Sequence, residues 1–122
     1  MPGAIKTVLF ILHSAPYGSS TARETLDAAL AAAAFEQNVQ LLFIGDGVWH
    51  LLPNQQASAL ASKDTGKMLQ ALGYYDISDV FADSVSLDER QLTGVSLAIT
   101  AKVLDKNTLQ EIVRKADCVI SL

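Results

Sequence analysis

A chain of 122 residues with a net charge of −4, 50% apolar residues and a single cysteine is one domain's worth of sequence and too apolar to stay disordered. A pI near 4.9, with no basic run, excludes a chain that grips nucleic acid alone, because that affinity comes from Lys and Arg displacing counterions. One thiol excludes an internal disulfide and suits a reducing, cytoplasmic compartment.

Mean hydropathy is +0.27 while only 18% of residues are charged. Either both faces of a parallel sheet are buried or partner subunits cover apolar surface. The apolar stretch Ile5 to Leu12 is short and followed at once by polar residues, so it does not read as a signal peptide. No apolar run approaches the ~20 residues of a membrane helix.

Val8 to Leu12 is continuously apolar and β-prone, as expected of a strand covered on both faces. The segment His13 to Ser20 holds the turn formers Pro16 and Gly18. Thr21 with Glu24 fits a capping box opening a helix to about Phe35, with Leu26, Ala29, Leu30 and Ala33 on one face. Val39 to Ile44 is a second buried strand, ended by Gly45-Asp46-Gly47. Val48 to Leu52 forms a helical turn stopped by Pro53, and Asn54 to Ser58 a polar loop. Ala59 to Leu72 reads as a second main helix with Leu60, Met68, Leu69 and Leu72 inward and Gly73 as its left-handed end residue. Ile77 to Val85 is a third strand, Leu87 to Gln91 a helical turn and Ala98 to Leu104 a fourth strand. Asn107 with Gln110 can cap a last helix whose Leu109, Ile112, Val113 and Ala116 share a face; Cys118 to Leu122 is a terminal strand. This alternation predicts a single α/β domain over 1–122, a three-layer sandwich with a mostly parallel five-stranded sheet and helices on both faces.

Open α/β sheets bind ligands beyond the carboxyl ends of their strands, which points to the segments 13–20, 45–48 and 83–89. In the first, Ser14, Gly18, Ser19, Ser20 and Thr21 precede a helix; they either cap and turn the chain or cradle an anion, with Asp46 and Gly47 of the second segment beside them. The run is neither a P-loop nor GxGxxG. Cys118 is the one possible sulfur nucleophile. It opens the last strand, at the end opposite the expected site, and reads as a buried, inert thiol. His13 and His50 read as structural or solvated, and no spacing suits a metal. Trp49, Leu51, Leu52, Tyr74 and Tyr75 form an apolar group that serves either the core or a partner interface. Asp88, Glu89 and Arg90 form either a solvated turn or a salt-bridged contact to another subunit.

Several blocks resemble the TusC/DsrF branch of the DsrE-like sulfur-relay family: Ser14 to Ala28, Leu42 to Pro53 with Gln55, Leu72 to Ile77, Ser86 to Leu92 and Ala116 to Leu122. The similarity is in register over nearly the whole chain, and the Gly45-Asp46-Gly47-Val48 block with its Leu51-Leu52-Pro53 tail is its most specific part. The resemblance implies a DsrE-like fold and a place beside TusB- and TusD-like subunits in a heterohexamer. That assembly takes persulfide sulfur from TusA and passes it to TusE for 2-thiolation of wobble uridine in tRNA. Related subunits act in dissimilatory sulfur oxidation, and the sequence leaves both settings open. In this family the persulfide-carrying cysteine of the active subunit lies just after the third strand, aligned here with Ala82 to Ser84, where no cysteine stands. The resemblance therefore implies an accessory subunit with no catalytic residue, cofactor or metal of its own, which without partners can self-associate. Two other readings stay open: an enzyme using Cys118 as persulfide acceptor with His13 nearby, and a stand-alone anion- or small-molecule-binding module.

Overall fold

A computed structural model describes residues 5–15, 20–52, 69–97 and 99–122. Five strands form one parallel sheet: β1 (Thr7–Leu12), β2 (Asn38–Phe43), β3 (Asp79–Asp83), β4 (Lys102–Leu104) and β5 (Cys118–Ser121). Their order is β4-β3-β2-β1-β5, and every pair is parallel. From β1 to β4 the chain steps one strand at a time in one direction. It then jumps over the sheet to lay β5 beside β1. Because parallel crossovers are right-handed, that reversal puts the last helix on the opposite face from the earlier ones.

Alternation along the strands sorts the core into two layers. On the first face Phe10, Leu12, Val39, Leu41, Phe43, Val80 and Ala82 pack against α1 (Thr21–Ala34), through Ala22, Leu26 and Ala29, and against Val48, Leu51, Leu72 and Leu87. On the second face Leu9, Leu42, Phe81 and Leu104 meet Leu109, Ile112, Val113 and Ala116 of the last helix, α3 (Lys106–Lys115). The predicted apolar face of that helix is thus the one it uses. Each fully buried large side chain contributes about 1.5–3 kcal/mol, and Phe10, Phe43, Leu9, Leu26, Leu41 and Leu42 are all essentially inaccessible. Among the described residues no helix is long and apolar enough to cross a membrane.

Several local expectations are corrected. The cap of α1 is Ser20, not Thr21; its φ of −92° and ψ of 3° are not the extended cap conformation, and its hydroxyl donates to Glu24 Oε1 at 3.2 Å instead of accepting a backbone N–H. The cap of α3 is Asp105, not Asn107: its extended backbone lets Oδ1 accept from the Thr108 N–H at 2.7 Å, which holds its carboxyl below the ordinary carboxylate range. Gly73 lies inside a 3-10 helix (Leu72–Tyr75), and the left-handed residue is Asp76, with φ of 59°. The third strand stops at Asp83 because that residue caps the short helix α2 (Ser84–Glu89), so Ser84 and Val85 are helical. The fourth strand is only Lys102–Leu104, since it lies at a sheet edge and has β3 alone to pair with, over Phe81 to Asp83. The helix expected over 59–72 and the loop before it fall mostly on 53–68, outside the described residues, as does Ala98.

Candidate functional site

The carboxyl ends of β1, β2 and β3 lie side by side because these strands are neighbours in the sheet, and the three segments that leave them are joined by hydrogen bonds. The segment after β2 folds at once into a 3-10 helix (Gly45–Leu51). Its first residue, Gly45, has φ of 57°, a left-handed value that glycine adopts without penalty. The Gly45 N–H donates to Ser86 Oγ at 2.8 Å. Ser86 Oγ in turn donates to Asp83 Oδ2 at 2.6 Å, and the same oxygen accepts the Ser86 N–H at 3.1 Å. A buried hydroxyl thus acts once as acceptor and once as donor, and a nearly buried carboxylate caps α2. This relay ties the end of β2 to the end of β3.

Two further links complete the rim. Arg90, just past α2, donates through Nε and Nη2 to Asp46 Oδ1 at 3.2 and 3.0 Å, and through Nη1 to the Ser86 carbonyl at 3.1 Å. At the other side His50 Nε2 donates to the Ser14 carbonyl at 2.9 Å, which anchors the segment after β1. His50 is buried against Phe43, with ring centroids 6.1 Å apart. Burial pushes its pKa below the ordinary 6.5, partly opposed by the bond to Ser14.

The structure therefore brings Ser14, Asp46 and Gly47 to one rim. Ser20 and Thr21 begin α1, where the Ser20 hydroxyl is turned to Glu24. Gly18 and Ser19 lie outside the described residues. Gly47 is there for packing: a Cβ on it would lie 1.9 Å from the Leu12 carbonyl oxygen. Asp46 is engaged by Arg90, so this loop presents a neutralised carboxylate rather than free donors.

Of the apolar group, Leu51 is fully buried and Trp49 and Leu52 are half-buried against the first-face core. Tyr74 is 90% exposed and Tyr75 43% exposed, at the other end of the sheet beside the start of β3. These five residues do not form one patch. Asp88 and Glu89 are exposed, while Arg90 closes an ion pair with Asp46 within the chain. Cys118 is exposed rather than buried, because β5 is an edge strand and Cys118 is its first residue. It pairs with Val8 near the start of β1, across the sheet from the rim, and His13, at the carboxyl end of β1, is not beside it. Among the described residues no cluster of His, Cys, Asp and Glu suits a metal ion.

The segment 83–89 was legible as part of the site, but the Asp83–Ser86–Gly45 relay was not. The Asp-x-x-Ser spacing of Asp83 and Ser86 was its one visible trace, since an acidic cap accepts from the N–H three residues on.

A family model described as the DsrE/DsrF-like family matches residues 6–122. A TusC homolog of Vibrio parahaemolyticus is 40% identical over 112 residues, covering 92% of this chain and 95% of that protein. A TusC homolog of Pseudomonas aeruginosa is 38% identical over 117 residues, covering 96% and 98%. The fold is that of the ychN protein from E. coli, whose crystal structure aligns with a TM-score of 0.83 at 21% identity, over 97% of this chain and all of that one.

Proposed function

Because the chain belongs to the DsrE/DsrF-like family, we propose that it is a non-catalytic subunit of a sulfur-relay complex, assembling in the cytoplasm with TusB- and TusD-like chains into a heterohexamer. The complex takes persulfide sulfur from a TusA-like donor and delivers it to a TusE-like acceptor for 2-thiolation of wobble uridine. The observation that carries this reading is the rim itself. The end of β3, where the family's active subunits are expected to hold the persulfide, is occupied here by Asp83 and Ser84. A persulfide is passed when a thiolate attacks its outer sulfur and the donor leaves as thiolate. A carboxylate already accepting two hydrogen bonds cannot do that.

Co-expression with the TusB- and TusD-like chains of the same genome, followed by mass measurement and transfer of labelled sulfur, tests the proposal. The expected result is one complex whose transfer activity survives Cys118→Ser. Transfer by the isolated chain through a persulfide on Cys118 would remove it. Loss of 2-thiouridine on deleting the gene supports the tRNA route; retention of 2-thiouridine with loss of sulfur oxidation moves the same subunit to the dissimilatory setting.

A further inference from the structure

At the amino ends of β1 and β2, opposite the rim, a cavity of about 440 Å³ opens between the end of α1 and the 3-10 helix Leu72–Tyr75. Ile5, Val39, Tyr75 and Ile77 supply its apolar wall, and Glu36 and Asp76 its charge. Among the described residues neither carboxylate has a side-chain hydrogen bond or ion-pair partner. Its wall residue Ile5 is 70% exposed, and the chain neighbours of two lining residues, Phe35 beside Glu36 and Tyr74 beside Tyr75, are 79% and 90% exposed. A small ligand seated in the cavity would leave Phe35 and Tyr74 in water. A protein surface would cover them as well, and aromatic residues of this kind are enriched at interface centres.

We propose that this aromatic, doubly acidic cavity is a docking surface for a partner subunit of the relay complex, which inserts a lysine or arginine flanked by apolar residues between Glu36 and Asp76. Complementary charge selects the cation, and the exposed aromatic side chains cover its aliphatic stem. The proposal rests on the subunit role above. It deepens that role by placing the anchor at the end of the sheet away from the rim, so a docked partner leaves the carboxyl ends of β1, β2 and β3 open.

The test is the complex with the TusB- and TusD-like chains, measured with the wild-type chain and with Glu36→Lys/Asp76→Lys. The expected result is melting of the isolated variant only slightly lowered, since the two carboxylates hold nothing within the chain and the one cost is lysine at the left-handed Asp76, and assembly weakened about tenfold or more. If the double lysine variant misfolds, the isosteric Glu36→Gln/Asp76→Asn pair reads the same surface through a reduced salt dependence of assembly. A photocrosslinking side chain at Tyr74 should attach to a Lys- or Arg-bearing segment of a partner subunit. Wild-type affinity in the charge variants, or crosslinking only to a second copy of this chain, would overturn the docking surface and leave the subunit role standing. No complex even with the wild-type chain would overturn the subunit role and the docking surface together.

Discussion

Replacing Gly47 by alanine tests whether the rim is built by close backbone approach. An ideal Cβ on Gly47 would lie 1.9 Å from the Leu12 oxygen, 2.6 Å from the Leu12 carbonyl carbon and 3.2 Å from the His13 Cα. All three are backbone atoms, so no side chain can rotate away. The Leu12 oxygen also accepts the Ile44 N–H at 3.0 Å; moving it disturbs the last hydrogen bond between the ends of β1 and β2. Overpacking costs about 1–3 kcal/mol and the weakened bond about 1 kcal/mol, so a loss of about 2–4 kcal/mol is expected. That is a large share of the roughly 5–15 kcal/mol of a typical domain. Gly45 is the control. It has φ of +57° but only the His13 oxygen at 4.0 Å, so alanine there meets mainly the left-handed penalty of about 1–2 kcal/mol. Urea unfolding followed by the fluorescence of Trp49, the single tryptophan, measures both. Gly47→Ala should be the worse by about 1–2 kcal/mol. Equal effects, or the reverse order, would refute steric exclusion as the reason for glycine at 47.

Asp83→Ala removes a helix cap and a charge-assisted bond and leaves the buried Ser86 hydroxyl unpaired, for an expected loss of about 2–4 kcal/mol by denaturant unfolding. Asp83→Asn, which keeps an acceptor for the Ser86 N–H, should lose about half of that. Arg90→Met should cost no more than about 1 kcal/mol, because Asp46 is well exposed and its ion pair is screened; a much larger loss would mean that the Arg90 bond to the Ser86 carbonyl carries the rim. For His50 the native pKa lies below the ordinary 6.5, so the unfolded chain takes up the proton first. Its contribution is complete above about pH 6.5 and drains as pH falls through that value towards the native one. His50→Gln, which keeps a donor for Ser14, should flatten unfolding free energy between about pH 7 and 5.5, and an unchanged slope there would assign the effect elsewhere.

The fold was legible because its periodic signals are long. The continuous apolar runs around Leu9 and Leu42 gave buried parallel strands, and the spacing of Leu109, Ile112, Val113 and Ala116 gave the face of α3 that packs on the second layer. Capping was less legible. Ser20 beside Thr21, and Asp105 two residues before Asn107, are chemically similar choices, and backbone dihedrals that no pattern encodes decide between them. The exposure of Cys118 was hidden for a topological reason: a strand that completes an alternating pattern reads as interior, whereas the jump from β4 to β5 places it at an edge. The ion pair of Arg90 with Asp46 joins residues 44 positions apart, which only the sheet order brings together.

Among the described residues, most of the rim's polar groups engage one another. Gly45 N–H, the Ser86 hydroxyl and Asp83 form a closed relay, Arg90 neutralises Asp46, and His50 spends its Nε2 proton on Ser14. This arrangement fixes the ends of three strands relative to each other, because a buried, satisfied polar network rigidifies the backbone around it. Glu36 and Asp76, two of the described carboxylates without a side-chain partner, lie at the opposite end beside exposed aromatic surface. The rim thus spends its bonds on holding three strand ends in place, while the opposite end leaves two carboxylates and aromatic surface open to solvent, where a neighbouring protein can reach them.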